Sequence, residues 1–254
     1  MRATIVSFFA LLMILSGSIT TLAQDQEAKY FAVLEDQVKP AMISAYEGSL
    51  IELNDLMEEK GIESYTGPVI SLSETSTYLK IFQPVKNGCD IEKIISETSD
   101  ISKINKKLDE KIQASKEYQK WLVVRQRPDL SYKPEDAARD SEENSYYYFT
   151  YFWGSNDQKT ALEDLCNEWI ELYKQNEIQH GYMVFEAVMG EELPLLIFMY
   201  TAKNPADFYK IRNEISQKLG FSEMKLLEKT MKVCRKYEVK SGLLRPYLSN
   251  MRGW

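Results

Sequence analysis

Two short motifs occur twice in this chain at almost the same separation. Lys86-Asn87-Gly88-Cys89-Asp90 is matched 117 positions later by Lys203-Asn204-Pro205-Ala206-Asp207. Arg127-Pro128-Asp129-Leu130-Ser131 is matched 118 positions later by Arg245-Pro246-Tyr247-Leu248-Ser249. Ile51-Glu52-Leu53 and Ile170-Glu171-Leu172 add a third match at 119. The spacing reads as a duplication of about 110 residues, the size of a small domain. For a chain of 254 residues this argues against one large unit: whatever the unit is, it must be built twice.

The first matched pair has the chemistry of a strand-to-helix junction. Asn87 and Asn204 suit a helix N-cap, and Asp90 and Asp207 then fall at the third helical position, where a carboxylate favours the positive helix end. Pro205 falls at the first helical position, where its missing N–H costs nothing. An anion site at these helix starts is the alternative, and the acidic residue opposes it. Hydrophobic periodicity predicts strands over 30–35, 62–72, 77–83 and 121–126, with helices over 40–60 and from Asp90 to about Lys116. In the second copy it predicts strands over 146–153, 182–188, 195–201 and 231–243. The helices there are expected over 160–177 and from Phe208 to Leu219, with a short one from Glu223 to about Thr230. Both copies run β-α-β-β-α-β. The expected division is a leader at 1–23, a first repeat at 24–135, an acidic linker at 136–145 and a second repeat at 146–254.

The leader has the three parts of a secretory signal peptide. Arg2 precedes an apolar run from Ile5 to Leu15, too short to span about 30 Å of hydrocarbon, and Thr21 and Ala23 offer small residues for a cut before Gln24. An uncleaved anchor is the alternative. No later segment is long and apolar enough to span a membrane, so a periplasmic or secreted protein is expected. In that compartment Cys89, Cys166 and Cys234 read either as one disulfide plus a thiol or as three buried thiols; there is no C-x-x-C pair. A formal net charge of −7 argues against a nucleic-acid partner. The single His rules out a His-rich metal site, and no metal site is expected. No G-x-S-x-G, H-E-x-x-H, phosphate-loop or EF-hand pattern occurs.

The order β-α-β-β-α-β is the ferredoxin-like one. Each four-stranded antiparallel sheet is covered on one face by its helices, and two such sheets hide their remaining faces by packing together. In this the chain resembles the dimeric α/β-barrel superfamily, fused in tandem as a pseudo-dimer. The resemblance implies an α+β fold of two ferredoxin-like repeats packed sheet to sheet, as a monomer or weak oligomer. The superfamily includes haem-handling proteins, cofactor-free monooxygenases, isomerases and proteins without known activity, so it assigns no single chemistry. No cofactor is expected from the residues, and haem enters only through the resemblance.

The most unusual local feature is an aromatic strand, Tyr146 to Trp153. Tyr147, Phe149, Tyr151 and Trp153 share one face, and Tyr146, Tyr148, Thr150 and Phe152 the other. One row must line the barrel interior, where it either binds a small apolar or aromatic ligand or fills the core. His180, the only imidazole, is a candidate haem ligand or general base, or an exposed residue at a strand edge. Glu35 and Asp36 are a candidate acid/base pair at a barrel mouth, or residues that precede a helix and complement its dipole. Arg127 and Arg245 repeat at the same place, which suggests a structural role, with an anion-binding pair as the alternative. The expected function is an exported protein that binds a small ligand or a partner through an aromatic-lined barrel. The alternatives are a cofactor-free monooxygenase-like, isomerase-like or haem-handling enzyme, and a structural envelope protein with a filled barrel.

Overall fold

The computed structural model describes residues 29–61, 67–82, 84–85, 90–92, 94, 96, 101–134 and 144–249. The leader and its cut after Ala23, the cap at Asn87, Cys89 and most of the acidic linker lie outside the described residues. Eight antiparallel strands form one closed barrel. They are β1 (Tyr30–Val38), β2 (Val69–Leu72), β3 (Thr77–Ile81), β4 (Lys116–Gln126), β5 (Tyr146–Gly154), β6 (Met183–Met189), β7 (Leu195–Ala202) and β8 (Cys234–Leu244). Their order around the barrel is β1-β3-β2-β8-β5-β7-β6-β4. The strands of residues 30–126 therefore stay together, as do those of 146–244, and two opposite seams, β2–β8 and β4–β6, join the groups. The described helices pack outside: α1 (Ile43–Glu59), α2 (Ile101–Ile104), α3 (Lys106–Ser115), α4 (Lys159–Gln175), α5 (Pro205–Leu219) and α6 (Phe221–Val233).

Strand alternation divides the core into an inner and an outer layer. Phe31 and Val33 of β1 turn inward, with Ile70, Leu79, Leu122, Phe149, Tyr151, Trp153, Leu195 and Ile197 of the other strands. Ala32, Leu34 and Val38 turn outward to the helices. On α1, Tyr46, Leu50, Leu53 and Met57 recur at helical spacing and are buried; on α4 the same is true of Leu162, Leu165, Cys166, Ile170 and Tyr173. The α5 start is built as its motif predicts: Asn204 Oδ1 accepts from the Asp207 N–H at 2.9 Å, with Pro205 at the first position.

The two seams are closed by the two Arg-Pro motifs. Arg127 and Arg245 have nearly the same backbone angles, φ/ψ −118/79° and −110/84°, and each leads into a short 3-10 turn. At one seam the Arg127 N–H donates to the Val184 carbonyl, and the Val184 N–H donates to Ser131 Oγ, both at 2.8 Å. At the other the Arg245 N–H donates to the Val69 carbonyl at 2.8 Å, and the Val69 N–H donates to Ser249 Oγ at 2.9 Å. Leu130 then enters the α4 core and Leu248 the α1 core, so each motif plugs the other group of strands. At the second seam Gly242 faces Leu72, and a Cβ there would meet the Ser71 carbonyl oxygen at 2.5 Å.

Two strands are longer than expected. β1 continues past Glu35 to Val38, and β4 begins at Lys116 instead of Trp121; β2 begins only at Val69, and β8 at Cys234, because α6 runs on to Val233. The charges in the β1 and β4 extensions are paired across the sheet. Asp36 is fully buried against the helices, where its carboxylate accepts from Tyr46 Oη at 2.6 Å and Gln119 Nε2 at 2.8 Å. Lys80 Nζ lies at 2.7 Å and Lys116 Nζ at 3.6 Å. Asp36 is thus a strand residue in a satisfied ion cluster, on the opposite face of β1 from Glu35. Burial alone would raise its pKa, but the charges of Lys80 and Lys116 and the hydrogen bonds from Lys80 and Tyr46 carry it below the usual carboxylate value.

Replacing Ser249 with Ala leaves the buried Val69 N–H without a partner and should lower unfolding stability by about 1–3 kcal/mol. Gly242→Ala, which drives a Cβ into backbone that cannot turn aside, should cost about 1–3 kcal/mol. Denaturant midpoints measure both, and no change in either would contradict this account of the seam. Asp36→Asn strands two buried ammonium groups and should cost about 3–5 kcal/mol at pH 7. Because the folded pKa of Asp36 is depressed, its stabilisation is present above about pH 3.9 and is lost as pH falls through the folded value. The gap between wild type and Asp36→Asn should therefore narrow below about pH 4 in acid titrations of stability.

Candidate functional site

The aromatic strand β5 separates two environments. Its Tyr147, Phe149, Tyr151 and Trp153 row faces the barrel interior, where successive rings lie 5.6–6.5 Å apart and the last three residues are almost fully buried. Lys240 lies 5.0 Å over the Tyr151 ring and Lys236 4.1 Å over Trp153. Glu35 also points inward and pairs with Lys240 at 3.5 Å, beside Glu238. The row is thus packed against itself and capped by cations.

The other face of β5 lines a cavity of about 150 Å³ between the sheet and helices α4, α5 and α6. Tyr148, Thr150 and Phe152 form its floor, with Tyr182 just before β6, and Phe198 and Tyr200 of β7 beside them. Leu162, Cys166, Trp169 and Tyr173 of α4 form one wall, and Arg212, Glu223, Leu227 and Thr230 close the others. Leu227 and Tyr237 are half-exposed and make the outer rim.

Its electrostatics are simple. Arg212 Nη2 donates to Glu223 Oε1 at 2.7 Å, and Arg212 Nη1 donates to Tyr173 Oη at 3.2 Å. Ser216 Oγ donates to the second Glu223 oxygen. The one charged pair is therefore neutralised within the wall. Burial pushes the phenols of Tyr173, Tyr182 and Tyr200 upward, that of Tyr148 to about 12 and the Cys166 thiol to about 12. At neutral pH these groups are uncharged donors. The Tyr182 hydroxyl is buried and has no hydrogen-bond partner among the described residues.

The sequence-derived candidates do not converge on this cavity. His180 is exposed and is not part of its wall. Arg127 is held at its seam by Asp129, Glu163 and Glu186, at 2.7, 2.8 and 2.9 Å. Arg245 lies at the opposite seam with its Nε buried and unpartnered among the described residues. Cys166 is buried and Cys234 half-buried, and both are free thiols. What the sequence reading passed over is Arg212, Glu223, Tyr182 and Tyr200. One signal was available: Arg212 follows Ile211 on the apolar face of its helix, an unusual place for a cation.

Among the described residues no group of three His, Cys, Asp or Glu could hold a metal ion. A haem does not fit the cavity as it stands. Its wall has no imidazole, its one thiol is held protonated by burial, and about 150 Å³ is below the roughly 300–1,000 Å³ of pockets for drug-sized ligands. No described helix is long and apolar enough to cross a membrane.

No protein-family model matches the chain, and no curated protein matches it in sequence. Solved structures do match. An anthrone oxidase-like protein superposes with a TM-score of 0.59 at 14% identity, over 87% of this chain and 92% of that one. A monooxygenase-like protein of Lactobacillus acidophilus gives 0.52 at 9% identity, over 86% and 94%. Chlorite dismutase from Candidatus Nitrospira defluvii, in complex with imidazole, gives 0.52 at 10% identity, over 86% and 92%. At such identities the likeness is one of fold alone, a closed eight-stranded α+β barrel with helices packed outside it.

Proposed function

We propose that this chain is an exported binding protein for a small aromatic molecule, held between the outer face of β5–β7 and helices α4–α6. The observation that carries this reading is the cavity itself, a space of about 150 Å³ walled by rings and uncharged phenols. A cavity of about that size accommodates a single benzene-type ring. The inner row of Tyr147, Phe149, Tyr151 and Trp153, the other candidate lining, is read here as the filled barrel core. Export rests on the leader at 1–23. The repeated motifs, the two strand groups and the paired seams support a tandem duplication of a β-α-β-β-α-β unit, and a chain that closes its own barrel is read as a monomer or weak oligomer.

A second reading is a cofactor-free oxygenase acting on the same ligand. It is favoured by the fold shared with the anthrone oxidase-like and monooxygenase-like proteins and by the Arg212–Glu223 pair at the cavity wall. Oxygen uptake in the presence of the ligand separates it from simple binding.

Mass spectrometry of protein purified from the extracytoplasmic fraction should reveal a bound one-ring compound. Toluene at saturating concentration should raise the melting temperature, by mass action on the folded state. Leu227→Trp fills the cavity from its rim and should abolish the toluene effect while the protein stays folded. Tyr151→Ala should lower stability by about 3–5 kcal/mol, as for truncation of a large buried ring, yet keep the toluene response. A toluene response lost in Tyr151→Ala and kept in Leu227→Trp would move the site to the barrel interior.

A further inference from the structure

We infer that the ligand is an uncharged one-ring molecule carrying an oxygen that hydrogen-bonds to Tyr182. This rests on the binding reading above and goes further, because it names the chemistry of the ligand and the group that selects it. Tyr182 is only 4% exposed, and its ring is fixed by Tyr173, Phe198 and Tyr200, at 5.3–5.6 Å between centroids. Its hydroxyl nevertheless has no partner among the described residues. Neighbouring polar groups do have theirs. Tyr132 Oη donates to the Ile178 carbonyl at 2.8 Å, Trp169 Nε1 donates to Thr230 Oγ1 at 3.2 Å, and Cys166 Sγ donates to the Leu162 carbonyl at 3.2 Å. An unsatisfied buried hydroxyl is disfavoured, and one carried by a rigid ring of the cavity lining calls for a partner that a ligand seated against that ring can supply.

The charge of that partner follows from Arg212. Its guanidinium is already paired with Glu223, which in turn accepts from Ser216. A carboxylate or phosphate ligand would have to break this pair and face Glu223, whereas a neutral ligand leaves it intact. The volume admits one ring, and burial keeps the surrounding phenols protonated, so they present dipoles without charge. A phenol meets each condition: a ring for the apolar walls, no charge, and an oxygen able to accept from Tyr182 or donate to it.

Phenol and toluene differ by a hydroxyl in place of a methyl and serve as probes, titrated calorimetrically into wild type and Tyr182→Phe. The expected result is a loss of about tenfold in phenol affinity in the variant, with toluene within twofold of wild type. Removing an unpartnered hydroxyl should also leave the ligand-free melting temperature no lower than wild type. In wild type, a Tyr182 hydroxyl proton protected from exchange by phenol but not by toluene gives an independent readout. Unchanged phenol affinity in Tyr182→Phe, equal weakening of both probes, or no phenol-specific protection overturns the inference while toluene binding upholds the site. If neither probe binds wild type, the site and the inference fall together.

Discussion

Closing the barrel is the constraint on which the rest of the structure depends. A four-stranded sheet has two edges whose N–H and C=O groups need partners. Here the edges are β2 and β4 in one group, β6 and β8 in the other, and each finds its partner across a seam. The β2–β8 ladder is short, three paired positions, and it is possible only because Gly242 lets the Ser71 carbonyl approach. The Arg-Pro motifs supply what the short ladders lack. Each adds two backbone-directed bonds beyond its seam and drives a leucine, Leu130 or Leu248, into the helix layer of the other group. Neither group can open without unpairing backbone and baring those leucines, which binds the two into one cooperative unit.

With the frame fixed alike on both sides, the helix-facing layers differ in what fills them. Asp36 in β1 faces outward and is paired across the sheet with Gln119; Phe152 in β5 does the same and is paired with Tyr237. Lys80 lies opposite Leu34, as Phe198 lies opposite Thr150. Tyr46, four residues into its helix, donates to Asp36, whereas Leu162 at the same place in α4 lines the cavity. In the first layer a carboxylate, two ammonium groups, an amide and a phenol interlock by short directional bonds. In the second, flat rings replace them. Rings pack edge to face and cannot interlock so closely, and the space they leave is the cavity.

Much of the frame was legible in the chain itself. Period-2 and period-3.6 patterns placed the strands and helices, because each side of every strand is covered and each helix buries one stripe. The largest extensions beyond the expected strands fall at ends where the residues are charged. Residues 116–120 fall between the expected helix end and the expected strand, but their partners lie across the sheet in β1, and no local pattern reports a long-range pairing. The site was less legible for a related reason. The uninterrupted aromatic row is Tyr147, Phe149, Tyr151 and Trp153, whereas the cavity lies on the alternate face, which Thr150 interrupts. Arg212 and Glu223 lie eleven residues apart on different helices, and only the turn at Gly220, with φ +52°, brings them together.

That the candidate site lies outside the barrel rather than within follows from the strand count. A barrel of eight strands has an interior just wide enough for side chains to fill, unless residues are kept small to make room. This one is filled by Phe149, Tyr151 and Trp153 together with Leu79, Leu122, Leu195 and Ile197, and its mouth is closed by the Glu35–Lys240 pair. The barrel therefore acts as a rigid pedestal, and the variable space is the gap between a fixed sheet and the helices laid over it. In that gap a side chain of either layer can be enlarged or trimmed without breaking a seam. A pocket can be opened there, lined with neutral donors and fitted to one ring, at little risk to the fold that holds it.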